Sequence, residues 1–135
     1  MLDADLVVVG AGAAPNIELA KGQVSLYDTR PGGILVNEHM QTSHPDIFAV
    51  GDVAAFPQEG KYGGGIVRHE HVTHCRSSAA HAVRAAVQGT SGLEGYQYLP
   101  FFYSRVFNLS WQVCFRKRTK NTHRCLCPSA RCREF

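Results

Sequence analysis

The chain has 135 residues, with 14 Lys and Arg against 11 Asp and Glu and a formal net charge of +3. That length supports one domain or a piece of a larger one, and the composition, 44% hydrophobic and 19% charged, is ordinary for a soluble protein. No apolar run approaches the ~20 residues of a membrane-spanning helix, and the acidic opening Met1-Leu2-Asp3-Ala4-Asp5 lacks the basic start of a secretory signal.

Asp5-Leu6-Val7-Val8-Val9-Gly10 is a β-branched run that predicts a buried strand of parallel-sheet type. Met1 leads into it almost at once, which reads as a start within a longer fold and leaves any targeting segment out of view. Gly10-Ala11-Gly12-Ala13-Ala14-Pro15 has the outline of a dinucleotide fingerprint, but Pro15 stands where a third glycine lets helix and strand pack closely. Asp28 meets the acidic position about 20 residues on only loosely. The run is therefore read as a late strand of a nucleotide domain rather than a phosphate cradle.

Ala11 to Ala20 reads as a turn with one helical turn at most, and Gln23 to Tyr27 as a short strand. Arg30-Pro31-Gly32-Gly33 is a turn signal, followed by short strands at Ile34-Leu35-Val36 and His39 to Thr42. The run from Thr42 to Ala54 then carries the most information. It predicts a turn, a buried strand Ile47-Phe48-Ala49-Val50, and Gly51-Asp52 at that strand's C-terminal end, where open α/β sheets bind ligands. Gly51 lets a ligand approach the backbone, and Asp52 offers an acceptor for a sugar or ribityl hydroxyl; a bland strand-end aspartate is the competing reading.

Ala55 to Val67 is expected as a loop, given Pro57, Gly60 and Gly63-Gly64-Gly65. A helix from Val72 to Val87 follows, with Val72, Cys75, Ala79, Val83, Ala86 and Val87 as its apolar face. Cys75 on that face reads as a buried small residue, and Gln88 to Gly92 as the helix stop. Tyr98 to Phe107 is an aromatic segment, strand-like beyond Pro100. His69, His71 and His74 lack acidic or cysteine partners in register, so they read as surface residues and no metal site is expected.

Residues 113–135 hold seven of the fourteen Lys and Arg, one acid, and Cys114, Cys125, Cys127 and Cys132. The preceding 112 residues balance seven Lys and Arg against ten acids. Two compositions meet near residue 112, and the second is expected to be a disordered Cys/Arg-rich tail, the product of a shifted frame or retained intron. Cys125-Leu126-Cys127 is too tight for the usual zinc pair, and the basic run gives no specific nucleic-acid motif.

Leu6 to Gly10 with Gly12 and Pro15, together with Thr42 to Ala54, resemble the FAD-dependent flavoprotein reductase superfamily. Arg68-His69-Glu70-His71-Val72-Thr73-His74-Cys75-Arg76-Ser77-Ser78-Ala79, Tyr98 to Arg105 and Phe107 to Gln112 narrow the resemblance to the monodehydroascorbate reductase family, over residues 1–112. The resemblance implies a partial α/β fold of two dinucleotide-binding domains. Residues 1–40 would end the NAD domain, 41–97 would be the second FAD segment, 98–112 would start a C-terminal domain, and 113–135 would be unrelated.

It also implies FAD and NADH (or NADPH) as cofactors and the monodehydroascorbate radical as small-molecule substrate, with no specific nucleic acid and no membrane as partners. Gly51 and Asp52 would meet the ribityl chain, the Val72 N–H the flavin pyrimidine, and Glu70 and His71 the nicotinamide. Arg76 would hold the anionic radical with Tyr103 across from it, as the catalytic pair. A hydride from NADH would pass to FAD and single electrons to two radicals in turn. Chloroplast, mitochondrion or cytoplasm is the implied location. The opening fingerprints that grip both pyrophosphates are missing, so the chain alone is expected to be weakly active or inactive. Within the superfamily the alternative is a ferredoxin- or rubredoxin-type reductase feeding a protein carrier; outside it, a non-catalytic fragment that binds a partner through its basic tail. On blander readings Glu70 and Arg76 form a solvated pair at the helix entry, and Tyr103 is core.

Overall fold

The computed structural model describes residues 3–59, 64–107 and 109–114. Its elements are β1 (Ile34–Leu35), β2 (Ala54–Pro57), β3 (Ile66–Val67), α1 (Val72–Gln88), β4 (Phe101–Val106) and β5 (Leu109–Cys114), with 3-10 turns at Glu18–Ala20 and Gly51–Val53. β2 lies between β1, parallel to it with Ile34 opposite Ala54, and β3, antiparallel with Phe56 opposite Val67. β4 and β5 form a separate antiparallel hairpin. The result is a partial α/β fold in which α1 packs on the Gly51–Val53 turn. No described helix is long and apolar enough to cross a membrane. Of the disordered Cys/Arg-rich tail expected over 113–135, Val113 and Cys114 belong to β5, and the remainder, 115–135, lies outside the described residues.

The core is Val36, Met40, Ala49, Ala54, Phe56, Ala82, Tyr96 and Tyr98, flanked by Ile34, Phe48, Val50 and Val67. Asn37 brings Met40 into it. Its Oδ1 accepts from the N–H groups of His39 (2.9 Å) and Gln41 (3.0 Å), an Asx turn of the kind short amide side chains close readily. Met40 sits in that turn at φ 65, fully buried. The Thr42 hydroxyl accepts from His44 N–H at 3.1 Å, while the N–H groups of Thr42 and Ala49 reach the carbonyls of Ile47 (2.9 Å) and Met40 (3.1 Å). The segment 40–49 is thus folded back on itself and delivers Val50-Gly51-Asp52 to α1.

Several expectations change. Leu6 (80% exposed) through Val9 (78%) form no ladder among the described residues. A parallel-type strand is stable only between neighbouring strands under a helical cover, and the described residues supply neither. Ile47 to Val50 reduces to a single bridge between Phe48 and Gln41. The buried strand lies further on, at Ala54–Pro57, where Ala54, Ala55 and Phe56 have no exposed surface and all but Ala54 fall in the stretch expected to be a loop. Gly51 at φ +70 breaks the extended run, so Gly51-Asp52 precedes the buried strand instead of ending one.

Helix α1 keeps its expected span and stops at Gly89 (φ 79), whose N–H bonds the Ala85 carbonyl. Its buried face is turned by about one residue, roughly 100°. His74, Ser78, His81, Ala82 and Ala85 point inward, while Val72 (57%), Val83 (61%) and Val87 (78%) are exposed. The cause is the aromatic layer beneath. Phe56, Tyr96 and Tyr98 fill the space under α1, so small residues and flat imidazoles fit there and branched valines do not.

Candidate functional site

The site starts from the Gly51-Asp52 turn. The Gly51 N–H donates to Ser78 Oγ at 3.0 Å, and the Cys75 thiol donates to Asp52 Oδ1 at 2.9 Å. A Cβ on Gly51 would come within 3.1 Å of Cys75 Sγ, and φ is +70. The glycine is therefore required by helix packing and by a left-handed backbone, a different reason from ligand approach. Cys75 is half-buried against this turn rather than part of an apolar face. Its pKa is raised, first by the hydrogen bond to Asp52 and then by burial, so it stays a thiol and a donor at neutral pH. The Asp52 side chain itself is exposed.

Arg68 ties this turn to its surroundings. Its Nε donates to the Pro31 carbonyl at 3.1 Å and one terminal nitrogen to the Asp52 carbonyl at 2.8 Å. The other terminal nitrogen pairs with Glu70 at 2.7 Å, with the Arg68 side chain only 9% exposed. Glu70 thus pairs with Arg68 and not with Arg76. Gly33 completes the fit: a Cβ there would lie 2.7 Å from the Val53 carbonyl and 3.1 Å from Arg68 Cδ.

The N-terminus of α1 is capped by His71, in extended conformation, whose Nδ1 accepts from Thr73 N–H at 3.3 Å. The Thr73 hydroxyl bonds His71 Nδ1 and the Tyr98 hydroxyl, which fixes the imidazole. Val72 is the first helical residue, exposed, with its N–H among those an α-helix leaves without an intrahelical partner. The positive end of the helix dipole is therefore presented beside an exposed carboxylate turn.

Behind the cap lies an aromatic and imidazole layer. The His74 ring stacks on Phe56 (5.2 Å, 14°), with Nδ1 3.0 Å from the Tyr96 hydroxyl. His69 packs on Tyr98 (5.4 Å) and His74 (5.6 Å), and His81 stacks on His39 (5.8 Å). His74 has no exposed surface and His69 is half-buried, so these two are not the surface residues expected. Burial lowers the pKa of His69 to about 4, with His74 adding to the effect. Burial also lowers His74, and lowers His81 with help from His39 and Arg84. All three are neutral at pH 7. Among the described residues no group of three or more His, Cys, Asp and Glu could hold a metal ion.

Of the anticipated residues, Gly51, Asp52, Glu70, His71 and Val72 are gathered at the N-terminal end of α1, through Arg68, Cys75 and the cap. Arg76 lies exposed on α1, lining an open groove of about 700 Å³ with Ser77, His81, Arg84 and Tyr96. Tyr103 is 78% exposed on β4 and is not core. Its neighbour Phe102 packs edge-on against His71 (4.5 Å), and alternation along a strand sends Tyr103 to the opposite face. No hydrogen bond joins Tyr103 to Arg76 or Asp52 among the described residues. Arg68, Thr73 and Ser78 were missed in the sequence; only the position of Arg68, just before Glu70, could have marked one of them.

The arrangement suits one end of a flavin. An exposed carboxylate accepts from polyol hydroxyls, and a helix N-terminus favours the part of the ring system that gains negative charge. The pyrophosphate end is not matched: Gly10 to Ala14 is exposed chain outside any strand, followed among the described residues by the single 3-10 turn Glu18–Ala20 instead of an α-helix. The architecture is part of an α/β fold of the dinucleotide-binding flavoprotein type. The chain belongs to the pyridine nucleotide-disulphide oxidoreductase family, which residues 1–89 match and whose members use FAD and NAD(P)H.

It is similar to a peroxisomal monodehydroascorbate reductase of Oryza sativa subsp. japonica, 52% identical over 111 residues, which make up 82% of this chain and 22% of that one. The monodehydroascorbate reductase of Solanum lycopersicum is 50% identical over 114 residues, 83% of this chain and 25% of its own. The chain therefore spans about a quarter of these relatives' length. Among solved structures it is similar to Fdr9 (28% identity, TM-score 0.72, 90% of this chain and 30% of that one). It is also similar to the reductase in a covalent putidaredoxin reductase–putidaredoxin complex (34%, TM-score 0.64, 85% and 26%).

Proposed function

We propose that this chain carries the flavin- and nicotinamide-facing half-site of an NAD(P)H oxidoreductase that, in the intact enzyme, reduces the monodehydroascorbate radical to ascorbate. The observation that carries the reading is the exposed Asp52 carboxylate held against the capped N-terminus of α1. Identity near 50% to monodehydroascorbate reductases supports the choice of substrate. In this reading FAD, when bound, supplies the exchange between a two-electron donor and a one-electron acceptor.

The residues do the positioning. Gly51 and Asp52 present the turn and accept from ribityl hydroxyls, and the Val72 N–H donates to the flavin pyrimidine. Glu70, oriented by Arg68, and His71, fixed by Thr73, face the nicotinamide carboxamide. Arg76 offers a cation to the anionic radical, with Tyr103 contributed from β4. Four of the curated relatives are named as peroxisomal, a compartment to set beside the chloroplast, mitochondrion or cytoplasm.

A second reading, reduction of a protein electron carrier, is supported by the structural likeness to putidaredoxin reductase, at lower identity. The test is the visible spectrum of the chain after incubation with FAD and removal of free flavin. A retained, perturbed flavin band supports the half-site; a folded chain that keeps none refutes it. NADH oxidation with the ascorbyl radical or with a ferredoxin as acceptor then separates the two substrates.

A further inference from the structure

We propose that the Cys75 thiol is a positioning group for the flavin site: it holds the Asp52 carboxylate in the orientation that presents its remaining acceptor sites to a polyol. The inference rests on the flavin reading above. An exposed aspartate ordinarily turns freely about two bonds, and ordering it costs entropy when a ligand binds. Here the Gly51-Asp52 turn is held at three atoms. Ser78 Oγ accepts from the Gly51 N–H (3.0 Å), Arg68 donates to the Asp52 carbonyl (2.8 Å), and Cys75 donates to Oδ1 (2.9 Å).

Two of these fix the backbone, and Cys75 fixes the functional group. Ser78 Oγ also donates to the Cys75 carbonyl at 3.2 Å, so both clamps share one turn of α1. The thiol reaches Asp52 because Gly51 leaves the space beside Sγ open. A thiol has a single hydrogen to give, so one carboxylate oxygen is engaged and the other is left for a hydroxyl. The raised pKa of Cys75 agrees with its role as donor.

The experiment compares FAD binding, by flavin fluorescence, for the full chain and its Cys75→Ala, Cys75→Ser and Asp52→Ala variants and the Cys75→Ala/Asp52→Ala double variant. In parallel, the pH midpoint of Cys75 alkylation by iodoacetamide is followed by peptide mass spectrometry without flavin. Cys75→Ala is expected to weaken FAD binding about threefold to tenfold, the worth of one ordinary hydrogen bond. Cys75→Ser, which keeps a donor, recovers most of it. Cys75→Ala adds nothing once Asp52 is alanine, and Asp52→Ala lowers the alkylation midpoint. An unchanged affinity in Cys75→Ala, a loss that persists in the Asp52→Ala background, or an unmoved alkylation midpoint each overturns the proposal. If the unaltered chain binds no FAD, the flavin reading itself fails and the positioning role falls with it.

Discussion

Arg68 lays one end of its guanidinium against the carbonyl oxygen of Asp52, 2.8 Å away, and the other against Glu70, 2.7 Å away. Two residues read in the sequence as separate cofactor contacts are thereby joined through a third, which belongs to the same motif but was assigned no role. The fork geometry explains why arginine stands here: its Nε reaches the Pro31 carbonyl as well, and a lysine ammonium cannot span three acceptors in fixed directions.

Replacing Arg68 therefore loosens the site from three sides. Arg68→Ala leaves the half-buried Pro31 carbonyl, the exposed Asp52 carbonyl and the Glu70 carboxylate without this donor, and a loss of about 1–3 kcal/mol is expected, the exposed partners being screened by water. Arg68→Lys recovers only part. Urea denaturation of both variants checks this; a loss below ~0.5 kcal/mol in Arg68→Ala would show that the three contacts do not hold the turn.

Gly51→Ala is the sharpest local test of the turn. The left-handed backbone costs a non-glycine residue about 1–2 kcal/mol, and the new Cβ, 3.1 Å from Cys75 Sγ, adds crowding. Removing that sulfur in Gly51→Ala/Cys75→Ala should return the crowding part and leave the backbone part. Thermal melts of the two single variants and the double variant separate the contributions. Strict additivity of the single losses would mean that Gly51 and Cys75 do not press on one another.

How far this was legible in the sequence depended on the kind of force involved. The helix from Val72 was legible because its stop at Gly89 and small-residue content are local properties. Its buried face was not, since the choice between Val83 and His81 was made by Tyr96 and Tyr98, rings contributed from beyond the helix. Asp52 was legible as an acceptor beside Gly51, but at the end of a buried strand and not in the turn that precedes one. The buried strand after it was misplaced because a run of apolar residues does not announce that Gly51 turns left-handed in its midst. The exposed valines of Leu6 to Val9 follow sheet-strand composition without sheet neighbours among the described residues, a circumstance that no local pattern encodes.

The buried imidazoles give a pH dependence whose sign is fixed. His69, with a pKa lowered to about 4 in the fold, takes up a proton near its ordinary 6.5 when unfolded. Below 6.5 the unfolded state binds more protons, so stability is fully present above that pH and falls as the pH drops from 6.5 through about 4. His74, lowered in the same direction, adds to the slope. His69→Phe keeps a ring against Phe56 and Tyr98 and removes an unpartnered buried Nε2. It should leave stability at pH 7.5 unchanged or higher and flatten the acid limb. Urea midpoints between pH 4.5 and 7.5 decide, and equal acid slopes in the two proteins would remove His69 as a contributor.

Asp52→Ala tests the carboxylate itself. The side chain is exposed and, among the described residues, its hydrogen bond is to the Cys75 thiol, so fold stability should change by less than about 1 kcal/mol. Bonds from hydroxyls to a charged acceptor are each stronger than neutral ones, and FAD affinity should fall about tenfold to hundredfold. Equilibrium dialysis against FAD reads the affinity. A loss of folding in step with the loss of flavin would instead make Asp52 a structural residue.

Val72→Pro isolates the other half of the site. Val72 is the first residue of α1, a position proline favours because the N–H it removes has no partner within the helix. His71 before it is extended, φ −152 and ψ 138, the conformation a residue preceding proline adopts readily. The Val72 side chain is 57% exposed, so little packing is lost. The substitution thus deletes one backbone donor while leaving helix, cap and carboxylate in place. Helix content by circular dichroism should be unchanged, and FAD affinity should fall about threefold to tenfold if that N–H meets the flavin ring. Unchanged flavin affinity in a fully helical variant would remove the Val72 N–H from the site and leave Asp52 to carry it.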